Sequence, residues 1–314
     1  MVNTNSPGSV FGQLRRSPIG ALARLASVAV LGLTVAGGAQ AQNFTTDVGS
    51  SERINLAGQL GTLSQRIMAS ACNLNAGIAV AESNAVLQIS AFQFGRISDA
   101  LLFGNRGFGI LGEEGRPRTL QVIGDLNDVW GPVLDQAVAT EVGANDDSQI
   151  ATIADQSDAV LSTANILVSE ITGQYADPVA LLHADALLID LAGRQRMLAE
   201  RMSKDVCLIA SGINVAQAQE DLRQTSKLFD DTLNALRNGL DSVGVRPPPT
   251  QKIADSLQFV VDEWQKLQPA LNATLAGIDL DTNMRQQVFN AFLGMEARMN
   301  NVVVLYDKNS KLGL

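Results

Sequence analysis

One segment of this chain occurs twice, and that constrains the fold more than any other feature. Asn55 to Ile78 (NLAGQLGTLSQRIMASACNLNAGI) aligns with Asp190 to Ile213 (DLAGRQRMLAERMSKDVCLIASGI) at a constant offset of 135 residues. Leu56/Leu191, Ala57/Ala192, Gly58/Gly193, Leu63/Leu198, Arg66/Arg201, Cys72/Cys207, Gly77/Gly212 and Ile78/Ile213 coincide. The register continues through Phe94/Phe229 and Ala100-Leu101/Ala235-Leu236, and the two tryptophans, Trp130 and Trp264, are 134 apart. Solenoid repeats are far shorter, so this pattern predicts a duplicated domain. The boundary is expected near Tyr175-Ala176-Asp177-Pro178, because proline starts a helix but does not continue one.

Each copy reads as four helices. The first runs from about Glu52 to Ala76 and ends at Gly77; the second covers about Ser83 to Phe103. A glycine-rich loop (Gly104 to Arg118) leads to a third helix, and a turn at Gly143 to Asp146 leads to a fourth ending near Gln174. The second copy breaks at Gly212, at Gly244 to Pro249 and at Gly277 to Asp281. Helices of matched length joined by short turns pack as antiparallel bundles. The expected class is all-α, with bundles over 42–176 and 177–314. Leu187, Leu191, Leu198, Met202, Ile209 and Ile213 fall on one stripe, with Leu191, Leu198 and Met202 expected in the core.

Before the first copy, Arg15, Arg16 and Arg24 precede an apolar run from Leu25 to Ala36, then Ala39-Gln40-Ala41. This is the layout of a signal peptide over 1–41, with the mature chain starting near Gln42 in the periplasm or outside the cell. A membrane anchor is the competing reading, although the apolar run is shorter than the ~20 residues that span a bilayer. Without residues 1–41 the net charge goes from −9 to −12, which argues against a nucleic-acid partner. One histidine and two cysteines leave no room for a His/Cys metal cluster, and neither a catalytic constellation nor a cofactor motif is visible. The expectation is a non-enzymatic protein without a cofactor.

The repeated helix differs between copies where chemistry is concerned. The second copy carries Arg194, Arg196, Arg201 and Lys204, and the face through Arg196 reads Ala192, Arg196, Ala199, Ser203. Small neighbours leave space before a guanidinium, which suits a planar oxyanion. Alternatively, Arg194, Arg196 and Arg201 pair with Asp190, Glu200 and Asp205 on a solvated face. The same face in the first copy reads Ala57, Gly61, Ser64, Met68, where the arginine is lost; Arg66 persists opposite Arg201 as a candidate helix-to-helix tie. Cys72 and Cys207 either pair or remain as two buried thiols, and burial of free thiols is the favoured expectation. The glycines between 104 and 115 read as a flexible tip, since no phosphate-loop lysine follows them.

The string Ile189 to Met202 (IDLAGRQRMLAERM) resembles the signature of the type IV pili methyl-accepting chemotaxis transducer N-terminal (PilJ-type) domain, which is similar to NarX-like nitrate/nitrite sensor domains. Ile54 to Ile67 (INLAGQLGTLSQRI) resembles it more weakly. The resemblance implies a four-helix sensor bundle in which the arginine three places after Ala-Gly contacts an anion at a dimer interface. That position is Arg196 in the second copy and Gly61 in the first. The implied site comprises Arg196 with Ala192, Gly193, Arg194, Ala199, Arg201 and Ser203, and a degenerate counterpart at Ala57, Gly58, Gly61, Ser64 and Arg66. It implies a small oxyanion as ligand and a membrane-bound signalling, pilus or chemotaxis protein as partner. A tandem of two such bundles would imitate the receptor dimer within one chain. The rival expectation is a structural or interaction bundle that has lost ligand binding.

Overall fold

Glycine punctuation sets the helix ends. In the computed structural model, which describes residues 49–175 and 183–312, the first helix, α1, spans Ser50–Asn75. Gly77 has φ +67°, where a side chain would be strained; its N–H donates to Leu74 and that of Ile78 to Asn73. This is Schellman geometry, which satisfies carbonyls that the helix end would leave bare. The same pair of bonds recurs at Gly212 and Ile213, after α5 (His183–Ala210).

The remaining helices are α2 (Val80–Phe103), α3 (Pro117–Val138), α4 (Asp147–Tyr175), α6 (Val215–Asn238), α7 (Gln251–Leu275) and α8 (Thr282–Leu312). Among the described residues there is no strand, only isolated bridges between Asn105 and Ile110 and between Leu240 and Val245. The expected signal segment 1–41 and the expected boundary at Pro178 lie outside the described residues. No described helix is long and apolar enough to cross a membrane.

Within the first four helices α1 packs on α2 and α4, and α3 closes against α4 and α2; α5 to α8 repeat that arrangement. Phe94 stacks on Trp130 at 4.6 Å between ring centroids, and Phe229 meets Trp264 at 4.7 Å. Leu198, Met202 and Ile213 are buried as the stripe requires, whereas Leu191 is half-buried at the edge of that core. α1 and α5 then pack on each other, so the two repeated segments form the central seam of the molecule.

The glycine-rich loop departs from its expected flexibility. Arg53, buried on α1, donates to the carbonyls of Leu101 and Gly112, each at 2.9 Å, and pairs with Glu114 at 3.4 Å. The Tyr175 hydroxyl donates to the same Glu114 carboxylate. A buried guanidinium that spans the loop fixes both of its ends. Gly104 is required there: its φ is +75° and an added Cβ would lie 2.5 Å from the Gly112 carbonyl oxygen.

Candidate functional site

Three layers lie along the α1–α5 seam, and the residues of the repeated motif build each of them. Cys72 and Cys207 are disulfide-bonded with Cα atoms 6.2 Å apart. This reverses the preference for free thiols. Residues at equivalent positions can bond only where their two helices cross face to face, and the packing of α1 on α5 brings them there.

In the middle layer Arg66 ties three helices together. Its Nε donates to Glu200 of α5 at 2.8 Å and its Nη2 reaches Glu296 of α8 at 2.6 Å. Burial pushes the Glu200 carboxyl up to about 7, with Glu296 adding to the rise and Arg66 opposing it. Pairing with both carboxylates holds Arg66 above its ordinary value despite burial. Nearby, burial raises Asp205 to about 6, against the pull of Lys204 and Arg201 and with a push from Asp221. An acid raised in the folded state binds a proton that the unfolded chain has already lost, so stability falls as pH rises from the unfolded value towards the folded one. The melting temperature is therefore expected to rise when pH is lowered from about 7.5 to about 5. Glu200→Gln should shrink that rise, leaving the share of Asp205. A melting temperature that instead falls across this window in wild type would contradict the assignment.

The third layer contains Arg196, which is only 2% exposed. Its Nη1 donates to Asn300 Oδ1 at 2.7 Å, its Nη2 to Asn55 Oδ1 at 3.1 Å, and its Nε to the Gly193 carbonyl at 3.4 Å. Among the described residues no carboxylate lies within ion-pair distance. Burial, with the Arg66 charge added and Glu296 opposing, brings its pKa down to about 10, so it stays cationic at neutral pH. A guanidinium has five N–H donors, and three are accounted for here. Two amide oxygens orient this cation without neutralising it.

Arg196 lines a partly open cavity of about 350 Å³ between α1, α4, α5 and α8. Gly58 and Gly61 of α1 and Gly193 and Arg194 of α5 line it as well. Gly61, the counterpart of Arg196 at the offset of 135, therefore faces the same space and not a second one. Arg194 is largely exposed and pairs with Asp190 at 2.9 Å. Lys311 pairs with Glu52 and Asp307. Of the three cations in the wall, Arg196 is the one without an acid partner among the described residues.

Several expected members of the site lie elsewhere. Ala192 and Ala199 are fully buried in the core of the last four helices, and Ala57 is buried in that of the first four. Ser203 sits beside Cys207, and Ser64 donates to the Gly61 carbonyl. Arg201 reaches Asp158 and Asp221, not Asp205, and Arg66 belongs to the middle layer. Counting one helical face fails because an arginine side chain leans towards the N-terminus of its helix. The Arg196 head lies over Gly193, where an added Cβ would be 3.5 Å from Nη2, rather than above Ala199. Asn55 and Asn300 were missed. Asn300 had a signal, because Asn165 stands at the equivalent position and lines the same cavity.

Residues 180–288 match the family described as Type IV pili methyl-accepting chemotaxis transducer N-term, PilJ. This stretch of the second half is similar to a PilJ-type domain. The match runs from the start of α5 into α8 and includes Arg196; the first four helices lie outside it. That description is of a domain of chemotaxis transducers. No curated protein matches the chain at a significant level.

Proposed function

We propose that this chain is an exported sensor-type protein built from two tandem PilJ-type four-helix bundles, which binds a small anion at the Arg196 cavity. The observation that carries this reading is a buried, permanently charged guanidinium, held by two asparagine oxygens and open to a cavity, with no carboxylate partner among the described residues. Burying an unpaired cation is costly, and an anionic ligand offsets that cost. Recurrence of the helices and turns at the offset of 135, together with the bond between equivalent cysteines, supports a duplication folded as an internal dimer. In that arrangement one arginine serves a site that a symmetric dimer would furnish twice, and Gly61 leaves room for the ligand. The resemblance to NarX-like receptors makes nitrate or nitrite the first ligands to test.

Export is supported by the Leu25–Ala36 run with its Ala39-Gln40-Ala41 site, and by a disulfide, which persists in oxidising compartments. Its partner in this reading is a membrane-bound signalling, pilus or chemotaxis protein, to which it relays the occupied state. N-terminal sequencing of protein from the native compartment is expected to begin close to Gln42; a chain beginning at Met1 or Val2 in washed membranes would support the anchor instead. Calorimetric titration of the mature protein with nitrate and nitrite tests the binding. Saturable binding supports the sensor. Its absence at millimolar concentration would favour a structural bundle, a reading to which the locked Arg66–Glu200–Glu296 layer also conforms.

A further inference from the structure

The cavity is several times larger than an inorganic oxyanion requires. A water molecule's share of liquid volume is ~30 Å³, and a four-atom anion needs roughly two such shares. The space beside Arg196 is about 350 Å³. Away from the guanidinium one stretch of its wall is apolar, formed by Ile54, Val168, Ile189, Met197 and Val303. Ser51, Asn165, Ser169, Thr172 and the paired Glu52, Asp307 and Lys311 line much of the rest. Ordered water needs polar partners, and the apolar stretch supplies none.

Gly58 keeps this apolar stretch open. It lies in the interior of α1, where glycine is disfavoured against alanine. Close helix packing does not explain it, since an added Cβ would meet nothing within 4 Å. The unfilled volume above Gly58 is the cavity itself.

Resting on the reading of Arg196 as an anion anchor, we infer that the ligand is an organic monocarboxylate with an alkyl or aromatic body. Its carboxylate takes the two donors of Arg196 left over from Gly193, Asn55 and Asn300, and its body fills the stretch between Gly58, Val168 and Val303. An apolar pocket with a few convergent polar groups at one end is the usual form of a small-molecule site. A planar guanidinium reads a carboxylate as readily as it reads nitrate, so the head group alone does not discriminate. The apolar body does.

Calorimetry of the mature protein with sodium nitrate, acetate, butanoate and hexanoate tests this, using wild type, Gly58→Leu and Arg196→Ala. Each buried methylene contributes about 0.8 kcal/mol, so wild-type affinity should rise about fourfold per carbon from acetate to hexanoate. Gly58→Leu should remove most of that gradient, and Arg196→Ala should weaken every carboxylate. Nitrate binding with a flat carboxylate series would overturn the organic ligand and leave the anion site standing. A gradient that survives Gly58→Leu would overturn the assigned position of the body. No binding of any of the four anions to wild type would overturn the anion site and this inference together. Should Gly58→Leu fail to fold, the wild-type gradient alone decides whether the ligand has an apolar body: a rise from acetate to hexanoate supports it and a flat series overturns it.

Discussion

Replacing both Cys72 and Cys207 by serine is expected to lower the melting temperature by on the order of 10 °C while leaving helical content unchanged. The bond closes a loop with a sequence separation of 135, and chain entropy gives such a loop about 5 kcal/mol. Both cysteines are buried at the α1–α5 seam, so the oxidised form also limits how far the two halves can separate. The last four helices bury a core of their own and the first four bury one that also takes in Leu208, Ile213 and Ala218, and for that reason the helices should persist without the bond. Thermal denaturation of wild type with and without reductant, beside the double-serine protein, measures the effect. Equal melting temperatures in all three samples would show that the packed seam suffices alone.

How much of this was visible in the sequence depended on whether the signal was local or paired. Glycine breaks and apolar spacing located the helices, because capping and burial act over a few residues. Gly77 and Gly212 end their helices as expected, and both tryptophans are buried against a phenylalanine in the cores. The loop after α2 was misread because its order comes from Arg53, which lies 59 residues before Gly112 and carries no sign of that contact.

The site was legible in part for the same reason. Arg196 stood out as an arginine among small neighbours, but which of those neighbours it faces depends on the lean of its side chain and on α8. Asn55 comes from the first half and Asn300 from the last helix, and only the closed seam brings them to one guanidinium. The carboxylates nearest in sequence were equally misleading: Glu200, four residues from Arg196, is taken by Arg66 across the seam. A pairing rule along one helix cannot anticipate a competitor from another.

The cavity gives the largest functional expectation. A charge-assisted contact from Arg196 to an anion is worth roughly 1.5–3 kcal/mol, so Arg196→Ala should weaken binding on the order of 10–100-fold. The fold should survive, because the change removes a buried charge and no apolar core group. Arg196→Lys should recover only part of the affinity, since an ammonium is a point charge and cannot grip a planar anion with two parallel bonds.

The direct test is a paired calorimetric titration of wild type and Arg196→Ala with one small anion, nitrate or acetate, at matched ionic strength. Saturable binding to wild type that weakens on the order of 10–100-fold in the variant, with melting temperatures within a few degrees of each other, is the result this account predicts. Equal affinities in the two proteins, or no binding to wild type at millimolar concentration, would contradict it.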